Sequence, residues 1–266
     1  MVDKSQKFIT FVRLGYAARG LVYILLGYIA LSTRGEAKGG GKAVFDWLQE
    51  VPLGTLVLWV IALGLIAYAV FKLISAFTDL QHHGSDKEGI LKRAGDFASG
   101  CAYSFLAYVC FQFATGQESS ASGGGSQEMA STVLRVSLGG VVIGLIGVGF
   151  FVGAFMQAKG AVTGGFMHRL SGRAPTGIEA IGRAGYAARA VVFAIIGWSL
   201  IKSAWFSQSS EVKGLGEALL SLRDMGALYT IVAVGLVLFG LFSLIVSRYR
   251  IIPDIDKDEL KPRFRS

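Results

Sequence analysis

The sequence predicts an all-α integral membrane protein: six transmembrane helices, built as three parallel helical-hairpin repeats with pseudo-threefold symmetry about the membrane normal. Three observations predict it. Six apolar stretches each approach the about 20 residues needed to cross a hydrocarbon core, a segment recurs along the chain, and basic residues divide unevenly among the loops. Composition agrees, since 53% of the 266 residues are hydrophobic and only 17% charged, against about 25% charged in ordinary globular chains. With 36 glycines, 4 prolines and 2 cysteines, the chain is neither disordered, collagen-like nor a disulfide scaffold.

The apolar stretches run over residues 14–32, 53–77, 94–115, 136–158, 184–204 and 226–247. Helices apolar all round need lipid or deep burial. The first stretch is read as an anchor rather than a removable signal, because Arg13 and Arg19 flank and enter it and no small-residue cleavage site follows. Between the paired helices, Gly39 to Leu48 and Gly214 to Leu222 read as glycine-rich turns leading into short amphipathic helices at the outer interface. Trp47 and Trp59 suit an interfacial aromatic belt. In the middle copy, Ser119 to Ser126 reads as a flexible serine-glycine linker.

The net charge of +8 is explained by orientation. The amino-terminal tail, the loops near 78–93 and 159–183 and the carboxy-terminal tail carry 16 of the 26 basic residues, and the opposite loops carry 7. Acidic residues divide nine to eight. The positive-inside rule therefore puts both termini in the cytoplasm of a multi-pass plasma (inner) membrane protein, its basic face toward anionic headgroups. No nucleic-acid partner is expected.

The segment from Arg13 to Gly27, beginning Arg-Leu-Gly-Tyr-Ala-Ala-Arg, recurs 170 residues later from Arg183 to Gly197. A degenerate copy lies 80 residues after the first, with Asp96 in place of the tyrosine and Ser99 in place of the second arginine. The second helices also correspond, Gly64 to Phe71 matching Gly235 to Phe242 and, more loosely, Gly147 and Phe151. The chain thus reads as one membrane domain over 1–266, with repeats at about 8–80, 88–160 and 178–250 and a cytoplasmic tail over 251–266. Each copy contains two spans, so the copies share one orientation, unlike inverted-repeat transporters. Spacings of 0, 4, 7 and 11 put Tyr16, Gly20, Tyr23 and Gly27 on one helical face, with Gly100 and Gly197 at matching positions. Small residues on such a face form a helix-packing seam. These motifs, repeated three times over residues 8–250, resemble the bacterial membrane proteins of domain-of-unknown-function family 1206. The resemblance implies a three-repeat, six-span membrane protein and brings no activity with it.

Ionisable groups inside a membrane cost about 2.5–3.5 kcal/mol each at the centre, so they face the protein interior and find partners. Arg19 and Arg189 are repeat-equivalent to Ser99, and Asp96 to Tyr16 and Tyr186. If the first helices surround the axis, one Asp96 carboxylate lies near two guanidiniums. The surplus positive charge then suits an anion, a lipid phosphate or a carboxylate, with Tyr16 and Tyr186 as hydrogen-bonding neighbours. The competing reading has Arg19 and Arg189 snorkelling to headgroups while Asp96 accepts a structural hydrogen bond. Lys72 is expected to snorkel.

No nucleophile with a paired base, carboxylate pair, phosphate-binding loop or haem-like histidine pair occurs, so neither enzyme activity nor a cofactor is expected. His82 and His83 are adjacent, point in different directions and have no second cluster of ligands, and His168 stands alone, so no metal site is expected. Cys101 and Cys110, nine apart on one helix, point in opposite directions and pack as small apolar residues. Two functions follow as expectations: a non-enzymatic membrane protein binding or conducting a small anionic or lipidic species at Arg19, Asp96 and Arg189, or an accessory subunit of a larger membrane complex.

Overall fold

The computed structural model describes residues 4–32, 54–81, 84, 86–115, 125–135 and 138–252. The linker with Trp47, the His82–His83 pair, most of the serine-glycine linker and the end of the tail lie outside the described residues. Eight α-helices occur among the described residues: α1 (Lys4–Ser32), α2 (Gly54–Thr78), α3 (Lys87–Ala114), α4 (Gly125–Leu134), α5 (Gly139–Thr163), α6 (Ile178–Phe206), α7 (Leu215–Leu220) and α8 (Ala227–Tyr249). Five of them, α1, α2, α5, α6 and α8, are long and apolar enough to cross a membrane, and the chain is a multi-pass membrane protein. With 28 residues α3 is long enough, but Lys92, Arg93, Asp96, Ser99 and Gln112 make it the most polar of the long helices. Its amino-terminal end is exposed, and there Lys92 bonds Glu88 at 3.0 Å and lowers the pKa of that carboxyl.

The first helix of each hairpin starts about two turns before its apolar stretch, because Lys4–Thr10, Lys87–Arg93 and Ile178–Arg183, which mix polar and apolar residues and contain no proline, continue the helix. The linker of the second hairpin contains α4, which the serine-glycine reading did not foresee; Gln127 on it donates to the Val212 carbonyl at 3.3 Å. In the third linker α7 buries Ala218 and Leu219 against the bundle.

The six long helices pack in a row. α1 lies between α2 and α8, α2 also packs on α3, and α6 packs on both α8 and α5. The closest pairings join different hairpins, α2 with α3, α5 with α6 and α8 with α1. The ends of the row, α3 and α5, are the two helices of the second hairpin, and they form no comparable interface with each other. Arg19 of α1 and Arg189 of α6 both face the ring of Phe239 on α8, the helix between them.

Glycines make the close approaches. A Cβ on Gly20 would lie 2.8 Å from the Gly240 carbonyl oxygen, and one on Gly27 2.6 Å from that of Ala233. Likewise Gly100 abuts Leu73, and Gly197 abuts the Gly147 carbonyl at 3.0 Å. Without a hydrophobic drive between helices in lipid, such van der Waals contact is what holds them together. Within hairpins, Gly15 meets the Tyr68 backbone at 2.6 Å and Gly185 meets Phe239 Cα at 2.6 Å; Gly64 meets Ala18 and Gly235 meets Ala188. These contacts correct the sequence correspondence. Because Gly27 and Gly197 meet Ala233 and Gly147 respectively, the second-repeat equivalent of Gly64 and Gly235 is Gly149, and that of Tyr68 and Phe239 is Gly153.

At the end of the bundle near the termini, Gly164 closes α5 in the left-handed conformation (φ 64°), which costs a residue without Cβ little. The following segment crosses the end of α8: Ser171 N–H donates to Tyr249 O at 2.8 Å and Ile251 N–H to Arg169 O at 3.0 Å.

Candidate functional site

Three polar pairs lie at the three inter-hairpin interfaces, equivalent on their second helices, while on the first helices Asp96 stands one turn before the position that Arg19 and Arg189 occupy. Each joins a residue one turn beyond the Tyr68, Gly153 or Phe239 position on a second helix to a charged residue of the next first helix. Where α8 meets α1, Arg19 Nη1 donates to Tyr68 Oη at 2.6 Å and Nη2 to Ser243 Oγ at 3.0 Å. Where α5 meets α6, Gln157 Oε1, with its amide turned toward the donors, accepts from Arg189 Nη1 and Nη2 at 2.8 and 3.2 Å. Where α2 meets α3, Lys72 Nζ donates to Asp96 Oδ1 at 2.5 Å.

Aromatic rings fill the space around the arginines. The Arg19 guanidinium carbon lies 4.8, 4.9 and 5.1 Å from the ring centroids of Tyr16, Tyr68 and Phe239. Arg189 lies 5.3, 4.7 and 4.4 Å from those of Tyr23, Phe193 and Phe239. Guanidiniums are attracted to ring faces within about 6 Å. Both arginines face the Phe239 ring, so they stand less than about 10 Å apart, within a Debye length at 0.1 M salt. Their residues are only 7% and 8% exposed. Among the described residues neither has a carboxylate within 4 Å, and the Nε atom of each is buried without a hydrogen-bond partner. A buried donor left unpaired costs about 1–3 kcal/mol, more when charged.

The second repeat differs. There Asp96 is paired with Lys72 and accepts from Gln81 Nε2 at 2.8 Å through its other oxygen. Gln81 Oε1 accepts from Arg250 Nη2 at 2.6 Å and Arg169 Nη1 at 3.1 Å, and the Arg250 guanidinium carbon lies 5.0 Å from the centroid of the Tyr16 ring. Basic residues thus continue from Arg19 past Tyr16 to the end of the bundle.

Several expectations change. Lys72 does not snorkel, its side chain being buried in the ion pair. The carboxylate of Asp96 takes Lys72 as its ion-pair partner rather than the two guanidiniums, because Lys72 lies on α2, the helix that packs directly on α3. Arg19 and Arg189 point into the bundle and not toward headgroups. Tyr16 contributes its ring, packed edge-on against Tyr68 at 5.0 Å. Tyr186 stacks on Phe166 at 4.8 Å and meets Phe239 at 5.7 Å. Ser99 is half-buried. Cys110 is buried and donates its thiol to the Leu58 carbonyl at 3.3 Å, while Cys101 is exposed. Among the described residues no group of three metal-ligating side chains occurs.

Residues that the sequence reading missed are Tyr68, Ser243, Gln157 and Phe239. The repeat itself held the signal: in the corrected register, Lys72, Gln157 and Ser243 are one position in three copies.

Comparison with known proteins agrees with the repeats. The family described as Domain of Unknown Function (DUF1206) matches residues 14–79, 94–164 and 184–250. The chain is also 34% identical over 254 residues to a Bacillus subtilis (strain 168) protein described as "Uncharacterized protein YxxB", covering 90% of each. No solved structure matches it. Three matched segments, each containing the two long helices of one hairpin, place this chain in the DUF1206 family.

Proposed function

We propose that this is a non-enzymatic plasma-membrane protein that binds or conducts a small anionic or lipidic species at Arg19 and Arg189. In this reading α3 is a sixth span, since 28 residues at 1.5 Å each exceed the about 30 Å hydrocarbon core and the helix packs along α2. The matching inter-hairpin contacts support a pseudo-threefold bundle. The basic excess supports cytoplasmic termini lying against anionic headgroups.

One observation carries the functional reading: Arg19 and Arg189 are buried beside one another with only neutral partners, whereas the charge of the second repeat is neutralised internally by Lys72 and Asp96. Burying two like charges without a carboxylate is unfavourable unless an anion compensates them. Guanidinium donors in this arrangement match the oxygens of a phosphate or carboxylate.

The test is Arg19→Gln/Arg189→Gln in reconstituted liposomes, measuring inorganic phosphate and chloride flux together with co-purifying phospholipid. Losing hydrogen bonds to charged groups, at about 1.5–3 kcal/mol each, predicts a drop of roughly tenfold or more in at least one readout. Wild-type behaviour in all of them, with the variant folded, would overturn the assignment.

A further inference from the structure

The second hairpin keeps the small residues of a tight helix seam and leaves that seam open. In the first hairpin the seam is Gly15, Ala18 and Gly64, in the third Gly185, Ala188 and Gly235, and all six residues are buried. Their second-repeat equivalents Gly95, Ala98 and Gly149 are exposed, and nothing lies within 4 Å of a Cβ built on Gly95 or on Gly149. In the other two seams the backbone itself closes the gap, at Tyr68 against Gly15 and at Phe239 against Gly185, whereas α3 and α5 make no such approach. Of the five apolar spans α5 is the least enclosed by its neighbours.

The two helices that flank the opening also border the arginine site. Tyr103 on α3, with its ring 4.7 Å from that of Tyr68, stands on one side of it, and Arg189, held by Gln157 of α5, on the other. Each keeps a buried polar atom without a partner, the Tyr103 hydroxyl and the Arg189 Nε. Both residues are more than nine-tenths buried.

We propose that the anion is the phosphate of a membrane phospholipid, which enters sideways between α3 and α5 and leaves its acyl chains in the open seam. This rests on the reading of Arg19 and Arg189 as an anion site. A phospholipid meets both halves of the geometry. Its phosphate accepts from the unpartnered donors inside, and its tails lie along a seam of small and apolar residues facing the bilayer. A free inorganic anion meets only the first half and has no use for an opening onto lipid.

The experiment compares wild type, Gly95→Leu/Gly149→Leu and Arg19→Gln/Arg189→Gln, purified in mild detergent and equilibrated with phosphatidylglycerol. Retained lipid is counted by native mass spectrometry, and inorganic phosphate binding is measured separately. Filling the seam is expected to lower retained phosphatidylglycerol about tenfold, a loss of about 1.4 kcal/mol, while phosphate binding stays at the wild-type level. The arginine variant is expected to lose both. If the seam variant retains lipid as wild type does while the arginine variant loses it, the anion site stands and the lateral route is overturned. Unchanged lipid and phosphate binding in the arginine variant overturns the underlying site as well. A stoichiometric protein partner that occupies the seam in place of lipid also overturns the proposal. Gly149→Leu alone, introduced at a position with no neighbour to displace, repeats the test if the double variant misfolds.

Discussion

Gly185→Leu and Gly15→Leu are each expected to lower the thermal midpoint by about 6–12 °C in detergent, whereas Gly95→Leu at the equivalent position in the second repeat leaves it nearly unchanged. The reason lies in what a side chain would meet. At Gly185 a Cβ lies 2.6 Å from Phe239 Cα and 2.8 Å from its backbone nitrogen, and at Gly15 it lies 2.6 Å from the Tyr68 backbone nitrogen and 2.8 Å from its Cα. Backbone cannot rotate aside as a side-chain tip can, so the helices must separate along the seam. Overpacking of ordinary cores costs about 1–3 kcal/mol and more where nothing yields. About 3 kcal/mol is the expected minimum here, and in a chain of this size each kilocalorie moves the midpoint by about 2–4 °C. Thermal unfolding followed by circular dichroism checks it. Equal shifts at all three glycines would contradict the open seam between α3 and α5.

Breaking the Lys72–Asp96 pair from one side is expected to cost about 3–5 kcal/mol, the range for stranding one member of a buried ion pair. Lys72→Met leaves the Asp96 carboxylate buried without its ammonium, and Asp96→Leu leaves the ammonium without its carboxylate. The double variant Lys72→Met/Asp96→Leu removes both charges from the α2–α3 interface and is expected to recover most of the loss. Denaturation of the four proteins as a double-mutant cycle gives the coupling directly. Additive losses would mean that Lys72 and Asp96 are held independently of one another. Lipid retention at the arginines is expected to survive in the double variant, because the second repeat neutralises its own charge.

Much of the fold was legible from periodicity and repetition. Apolar stretches of spanning length mark helices because unpaired backbone groups cannot be left in hydrocarbon, and recurrence of Arg-x-Gly-Tyr-Ala-Ala-Arg marks the hairpins because like sequences make like contacts. The limits were equally physical. The second copy of the second helix has drifted so far that Gly147 and Phe151 matched as well as Gly149 and Gly153, and only the contacts made by Gly27 and Gly197 fixed the register. With that register two residues off, Gln157 could not be lined up with Lys72 and Ser243, and the three polar pairs stayed hidden. Lys72 was read by its distance from the end of its span, which says nothing about what the neighbouring helix presents.

The sequence by itself determined that this is a multi-pass membrane protein of three related hairpins, and that two arginines sit at matching positions of its helices with one aspartate a turn earlier in the degenerate copy. Those properties depend on composition and spacing along the chain, which hydrophobic transfer and helical geometry translate directly. Only the tertiary structure decided which charges pair, because pairing depends on which helix lies alongside which. It joined Asp96 to Lys72 across the α2–α3 interface and left Arg19 and Arg189 with neutral partners around Phe239. It also decided that one of three similar seams stands open, since small residues permit two helices to approach but do not by themselves bring α3 and α5 together.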